Sequence, residues 1–276
     1  MLEKFLFENH LGQRFEGLPN GVYLNYNDLR DYAWSYDTIN NRISRFFMGA
    51  RNRKLPIVVL CKSDNAAVET MNRLHELAEV DIAAKIPGRI IVGDWYTNGY
   101  ITASTKSNYL ITKRLCNIEL TLTSDDPAWY REQTYVFAKN EAGSVLVGDG
   151  ADYPYDYKYD YAATFGGRTI RCDSIGSNAF RMVIYGKIEN PTVIIGGHTY
   201  SVNGTVEQGE ILTIDSLTKT ITLTTASGAR LNWFDKRNRD SYVFEPIPAG
   251  LNDVAYSAAF AFDLTVIEKR SEPKWI

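Results

Sequence analysis

Turn signals punctuate the second half of the chain at Gly196-Gly197, Asn203-Gly204, Asp215-Ser216, Ser227-Gly228 and Ala249-Gly250. Between them stand short apolar runs: Met182 to Tyr185, Val193 to Ile195, Ile211 to Ile214, Ile221 to Leu223 and Leu231 to Trp233. Runs this short cannot carry a helical stripe, whereas strands closed by residues that tolerate positive φ need no more. Phe260, Phe262, Leu264 and Val266 then alternate with their neighbours, so one face of an extended segment is apolar close to the end of the chain. Many short strands at this spacing predict a β-sandwich over residues 167–276.

The first 138 residues predict an α+β unit, one helix against strands. Ser63 or Asp64 can cap a helix whose apolar face carries Val68, Met71, Leu74, Leu77 and Ala78, with Glu69 and Arg73 as an outward i,i+4 pair. Phe5 and Phe7 alternate with polar residues, Asn20-Gly21 marks a turn, and Val22, Leu24 and Tyr26 alternate again. Residues 27–54 hold five aromatics without clean periodicity, and Arg51-Asn52-Arg53-Lys54 reads as a turn before the strand Leu55 to Leu60. Asn98-Gly99 between two strand-like runs predicts a hairpin turn, and Tyr109 to Thr123 reads as one long strand. The fold class is therefore mainly β, α+β taken as a whole.

Between the two lies a connector, residues 139–166, rich in glycine at its start. It contains tyrosines at 153, 155, 157, 159 and 161, interleaved with Asp152, Asp156, Lys158 and Asp160. In an extended chain this period of two puts all five rings on one face and the charges on the other. Pro154 argues for an edge or arm rather than a central strand. Tyr153, Tyr155, Tyr157, Tyr159 and Tyr161 are candidate arm contacts, packed on their own domain or on a neighbouring subunit. An aromatic platform for sugars or bases is the competing reading.

The residues offer little chemistry. His10, His75 and His198 have no Cys, Asp or His neighbour at ligand spacing, and Cys61, Cys116 and Cys172 are far apart and read as reduced thiols. Gly-x-Ser-x-Gly, Walker and dinucleotide glycine patterns are absent. Asp125-Asp126 is the tightest carboxylate pair, but adjacent strand residues face opposite ways and Pro127 follows, so a strand-ending turn fits better than paired acids converging on one bond. A net charge of -3 gives no surface built to grip phosphates. No apolar stretch approaches the length of a membrane span, and the N-terminus lacks a signal-peptide core, so a soluble, unsecreted chain is expected. No catalytic, cofactor or metal site is predicted.

Several segments, in order, resemble the distal tail protein family of long-tailed, siphovirus-like bacteriophages of Gram-positive hosts. Ile188-Glu-Asn-Pro191 is similar to that family's opening of the second domain. Gly209-Glu-Ile-Leu-Thr-Ile-Asp215 with Lys219-Thr-Ile-Thr-Leu223 looks like its recurring strand and hairpin. Asn232-Trp-Phe-Asp235, Phe244-Glu-Pro-Ile-Pro-Ala-Gly-Leu-Asn252 and the ending Glu268-Lys-Arg-Ser-Glu-Pro-Lys-Trp-Ile276 follow the same plan. In the first half the resemblance runs through Leu74 to Leu77, Pro87 to Val92 and Asp94-Trp95-Tyr96, and Asp152 to Asp156 is similar to the family's linker.

The resemblance implies a virion protein, made in the host bacterial cytoplasm and placed at the tail tip. N-terminal domains would close a hexameric baseplate-hub ring, and a galectin-like C-terminal β-sandwich would project outward. The ring would join the tail tube protein to a tail-associated hub or lysin protein and a receptor-binding protein. DNA would pass through its channel unbound. A barrel-like N-terminal domain with one helix is implied, and Met71, His75, Trp95, Tyr96 and Tyr100, on the helix and the following hairpin, are the candidate ring interface. Trp233 with Asp235, Lys236 and Arg237 does not match a galectin-type sugar site, so the outer domain is expected to be a scaffold. Two other classes stay open: a carbohydrate- or protein-binding module of the tail that contacts the host surface, and a wall-degrading enzyme.

Overall fold

A computed structural model describes residues 4–107, 114–139, 168–257 and 259–275. The tyrosines at 153–161, the glycines at 143, 148 and 150, and the start of the strand predicted from Tyr109 lie outside the described residues. The chain forms two compact units, Met1–Arg131 with Lys269–Ile276, and Glu132–Glu268.

The first unit contains β1 (Leu6–Glu8), β2 (Arg14–Glu16), β3 (Val22–Leu24), β4 (Ser35–Ile39), β5 (Arg42–Phe47), β6 (Arg51–Leu60), α1 (Asp64–Ala84), β7 (Gly88–Val92), β8 (Trp95–Ser107), β9 (Leu115–Ser124) and the beginning of β10 (Trp129–Phe137). Seven of these strands pair antiparallel in the order β2-β1-β7-β8-β9-β6-β3. Laid flat, the end strands would stand ~29 Å apart at about 4.8 Å per gap. Only the link Gly17 to Gly21 separates β2 from β3 in sequence, and its extended reach is about 21 Å. The sheet must therefore curl, which gives the barrel-like form. A register shift in β8 between Ile101 and Ala103 adds the local bend.

α1 is the one α-helix among the described residues, and its cap follows the sequence. Ser63 is extended, and its Oγ accepts the Ala66 N–H at 3.2 Å. Leu74, Leu77 and Ala78 are buried with Phe5, Phe7, Phe15, Leu55, Ile57 and Trp95 in one core. Each such side chain contributes roughly 1.5–3 kcal/mol by leaving water. Arg73 donates to the Arg14 carbonyl rather than pairing with Glu69. At the far end Asp81, fully buried, accepts from the His10 backbone N–H (2.8 Å) and meets its Nδ1 (2.6 Å). The chain leaves the helix through Lys85 at φ 58, and β7 then starts at Gly88, where a Cβ would collide with Asp81 Oδ2 and the Glu8 carbonyl.

Two further sequence expectations fail in this unit. Asn98-Gly99 is not a turn: it lies inside β8, paired with Arg89 and Gly88. The turn is Gly93-Asp94, closed by Val92 opposite Trp95, with Gly93 at φ 60. Glycine at the first position of a two-residue hairpin loop is the other favoured chemistry. Gly99 serves packing instead, because a Cβ there would stand 2.8 Å from the Thr123 carbonyl oxygen. Arg51 to Lys54 is not a turn either but the first part of the ten-residue strand β6. Arg53 points inward, 1% exposed, and donates to the Pro127 carbonyl (2.7 Å) and Thr97 Oγ1 (3.3 Å). Burial, reinforced by the charge of Arg51, lowers its pKa to about 10.

The second unit continues with β11 (Arg168–Cys172), β12 (Ala179–Tyr185), β13 (Ile188–Glu189), β14 (Thr192–Ile195), β15 (His198–Ser201), β16 (Thr205–Val206), β17 (Ile211–Asp215), β18 (Thr220–Thr224), β19 (Arg230–Asn232), β20 (Gly250–Tyr256) and most of β21 (Ala261–Arg270). One antiparallel sheet runs β19-β18-β17-β12-β21 and the other β11-β20-β14-β15. Met182, Ile184, Leu212, Ile214, Phe262 and Leu264 from the first meet Ile170, Val193, Ile195, Val254 and Tyr256 from the second in a single core, a β-sandwich. The predicted turns at Gly196-Gly197, Asn203-Gly204 and Ser227-Gly228 take positive φ at their glycines, whereas the Asp215-Ser216 turn takes it at Lys219. The mainly β fold read from the sequence is borne out.

Candidate assembly surface

The proposed interface residues do not share one face. Along β8, Trp95, Thr97, Gly99 and Ile101 point inward, while Tyr96, Asn98 and Tyr100 point outward and are half-buried. Trp95 is 3% exposed, and the guanidinium groups of Arg131 and Arg270 lie 5.3 Å and 5.8 Å from its ring. Tyr96 stacks on Tyr130 at 5.8 Å with Arg89 above it at 5.1 Å. Met71 is half-buried against the core, and His75, about one turn on, is exposed. α1 packs against β8, which sets the helix carrying Met71 and His75 beside the strand carrying Trp95, Tyr96 and Tyr100.

The larger exposed feature is one that sequence reading missed. β4 and β5 form a two-stranded hairpin around Asn40 and Asn41, at φ 51 and 60. Tyr36 pairs with Phe46 and Thr38 with Ile43, and these share a face by the two-residue period. Tyr36, Ile43 and Phe46 are each more than half exposed, and the Tyr36 and Phe46 rings meet edge to face at 6.5 Å. The opposite face carries Asp37, Arg42 and Arg45 together with Phe47 and Ile39, the last 65% exposed. Neither hydrophobic core includes any of these residues. An isolated hairpin is marginal in water, and each uncovered apolar side chain forgoes roughly 1.5–3 kcal/mol. The ribbon gathers Tyr36, Ile43 and Phe46 on one face, mixes charge with apolar side chains on the other, and leaves these apolar groups exposed. Two signals mark it: Asn40-Asn41, a pair that tolerates positive φ, and the flanking aromatics. An extra residue, Ser44, shifts the register beyond Asp37 and breaks the alternation on which a strand reading depends.

The polar groups are structural in their contacts. Glu8, buried, accepts from Arg14 and from Arg89 (2.8 Å). Asp126 accepts the Tyr130 hydroxyl and the Lys269 ammonium (3.0 Å). Burial pushes the Asp126 carboxyl up. The hydrogen bonds from Tyr130, Lys269 and the Ala128 N–H, with the Lys269 charge, outweigh it and hold the group below the usual carboxylate range. Asp125 turns back to accept the Asp126 N–H, which makes the pair a turn. Among the described residues no group of three or more His, Cys, Asp or Glu side chains could hold a metal ion. Cys61, Cys116 and Cys172 are free thiols, and burial raises the last two above the ordinary thiol value. Trp233 packs on the core of its own unit and over Gly204.

No protein-family model and no curated protein sequence matches the chain. Its fold is similar to that of phage SPP1 Dit, described as a paradigm of the hub adsorption apparatus in phages infecting Gram-positive bacteria. That likeness has 10% identity and a TM-score of 0.59, and covers 98% of this chain and 100% of the other. It is also similar to chains of the phage P2 baseplate in its activated conformation. With Ca the identity is 12% and the TM-score 0.62, with Sr 13% and 0.63, and each covers 99% of this chain and 100% of that one. At such identities the likeness is one of fold.

Proposed function

We propose that this chain is a structural subunit of a bacteriophage tail tip, and that six copies close a hub ring joining the tail tube to the tail-tip and receptor-binding apparatus. The observation that carries the reading is the fold likeness to hub and baseplate chains, which spans both partners almost end to end. In this reading residues 1–138 build the ring, 139–166 link, and 167–276 form the outer, galectin-like sandwich, apart from the last stretch, 269–276, which belongs to the first compact unit. The protein resides in the virion after synthesis in the host cytoplasm, and performs no catalytic step. Its partners are the tube protein, a tail-associated hub or lysin protein and a receptor-binding protein.

A cyclic ring needs two different, complementary patches per subunit. The apolar face of the β4–β5 hairpin supplies one, and the outer layer of α1 and β8, with Met71, His75, Tyr96 and Tyr100, is the surface for a neighbour. The net charge of -3 suits a channel that lets DNA pass, since a basic lining would hold it. Native mass spectrometry of the full chain checks the assembly. Six copies of the 31.2 kDa chain, alone or as stacked rings, are expected. A monomer that also fails to join purified tail tubes at any concentration would sink the reading.

A further inference from the structure

The first unit has a groove of about 1280 Å³ in which the residues flanking the β4–β5 hairpin take part. That exceeds the ~300–1,000 Å³ of a typical small-molecule site and suits a length of extended chain. Three rings line it, Tyr26, Tyr32 and Trp275, and they are 88%, 48% and 75% exposed. Trp275 is held in place rather than loose: the Arg30 guanidinium lies 4.1 Å over its ring and donates to the Pro273 carbonyl at 3.2 Å. Lys4, Arg30 and Arg51 outnumber Asp31 and Glu272 along the lining. Arg51 Nη1 is buried and has no hydrogen-bond partner among the described residues.

The occupant that matches is an extended segment with rings on one face and carboxylates on the other. The sequence contains one: Asp152 to Tyr161, five tyrosines in strict alternation with Asp152, Asp156 and Asp160 against a single Lys158. Tyrosine rings stack on aromatic faces and on guanidinium groups, and a carboxylate is the fork-shaped acceptor that arginine prefers. We propose that the groove receives the segment Asp152–Tyr161 of a neighbouring copy, so that each subunit is strapped to the next by a tyrosine-rich strand. The inference rests on the ring reading, since closure requires just such an unlike pair of patches.

Two measurements decide it. In the first, a peptide of residues 150–163 is titrated into the full chain carrying Tyr153→Ser, Tyr155→Ser, Tyr157→Ser, Tyr159→Ser and Tyr161→Ser. Saturable binding is expected, weakened about tenfold or more (roughly 1.4 kcal/mol) by Arg30→Glu with Arg51→Glu. It should weaken likewise when the peptide's three aspartates become asparagine, which tests the pairing without altering the protein. Absence of saturable binding, or equal binding by the charge variants and the parent, overturns the proposal. In the second, a benzophenone side chain replaces Tyr157 in the full chain, and isotopically heavy and light protein are mixed before irradiation. Heavy–light crosslinks to the 26–32 stretch or to Trp275 are expected. Crosslinks confined to one copy, or to other surfaces, overturn it. Mass measurement of the same samples separates the two readings, because rings that form without these crosslinks defeat the groove assignment alone.

Discussion

β17–β18 and β4–β5 are hairpins of similar size with opposite fates. In the first, Leu212, Ile214, Ile221 and Leu223 alternate with polar residues, and every one is buried in the sandwich core. Its turn is tied by Asp215 Oδ1, which accepts the Leu217 and Thr218 N–H groups at 2.9 Å and 3.0 Å. In the second, Tyr36, Ile43 and Phe46 share a face in the same way and reach no core. Alternation specifies a strand and the side of it that avoids water. It does not specify what covers that side. One hairpin has its cover within its own unit, and the other has none among the described residues.

The largest expected effect separates the two hairpins directly. Leu212→Ala removes a fully buried side chain and should cost about 2–5 kcal/mol through lost transfer and the cavity left behind. Denaturant unfolding of the full chain measures this as a lower midpoint. A change below about 1 kcal/mol would mean that the sandwich core is not packed as described. Gly99→Ala comes next, at about 1–3 kcal/mol, because its Cβ meets the backbone oxygen of Thr123 rather than a flexible side-chain end. That test also sharpens the reassignment of Asn98-Gly99 from turn to strand interior, since an exposed hairpin turn would accept alanine with a different penalty, one set by φ rather than by contact.

Legibility in the sequence follows the same division. The sandwich strands, their turns and the helix cap were readable because each is local: a two-residue period, a glycine with positive φ, a serine one turn before an apolar stripe. Arg53 was misread because charge normally marks a surface. Its acceptors, the Pro127 carbonyl 74 residues away and Thr97 Oγ1 44 residues away, are non-local and cannot be read from the neighbouring sequence. The β4–β5 hairpin was missed because a single extra residue, Ser44, shifts the alternation, and because its apolar face has no counterpart among the chain's other segments. The resemblance to distal tail proteins rested on the order of weak motifs. The structure supplies the fold likeness that no single motif could.

A smaller effect is expected at Asp126, conspicuous in the sequence as half of a carboxylate pair but not as the partner of Tyr130 and Lys269. Its carboxyl is held below its ordinary value, so the stabilisation it brings is fully present above the unfolded carboxylate pKa of about 4. That stabilisation is lost as pH falls through the lower folded value. Lys269 and Asp126 are each nearly half exposed, and solvent screening limits such a pair to about 1 kcal/mol or less. Asp126→Asn should therefore lower the midpoint of thermal unfolding slightly at neutral pH and bring variant and parent together on the acid side. A gap that widens as the pH falls would reverse the assigned sign.

Phe46→Ser should change the stability of the isolated chain least of all. The ring is 59% exposed and touches Tyr36 rather than a core, and surface substitutions of this kind usually stay within about 0.5 kcal/mol. The same change should have its whole effect on assembly. If Tyr36, Ile43 and Phe46 are covered by a neighbour, removing one ring uncovers apolar area at the contact and leaves a polar hydroxyl to be buried there. The loss is repeated at each of the subunit contacts of a closed ring. Native mass spectrometry of Phe46→Ser should then show monomers at concentrations where the parent forms rings, with unfolding midpoints indistinguishable between the two once both are diluted to monomers, since assembly itself raises the parent's midpoint. Rings of normal mass from the variant would mean that the hairpin's apolar face meets a different molecule of the tail, and the subunit contact would have to lie elsewhere, on the helix and β8 layer alone. Monomers with a strongly lowered midpoint would instead place Phe46 in the stability of its own unit, and the contrast with Leu212 would dissolve.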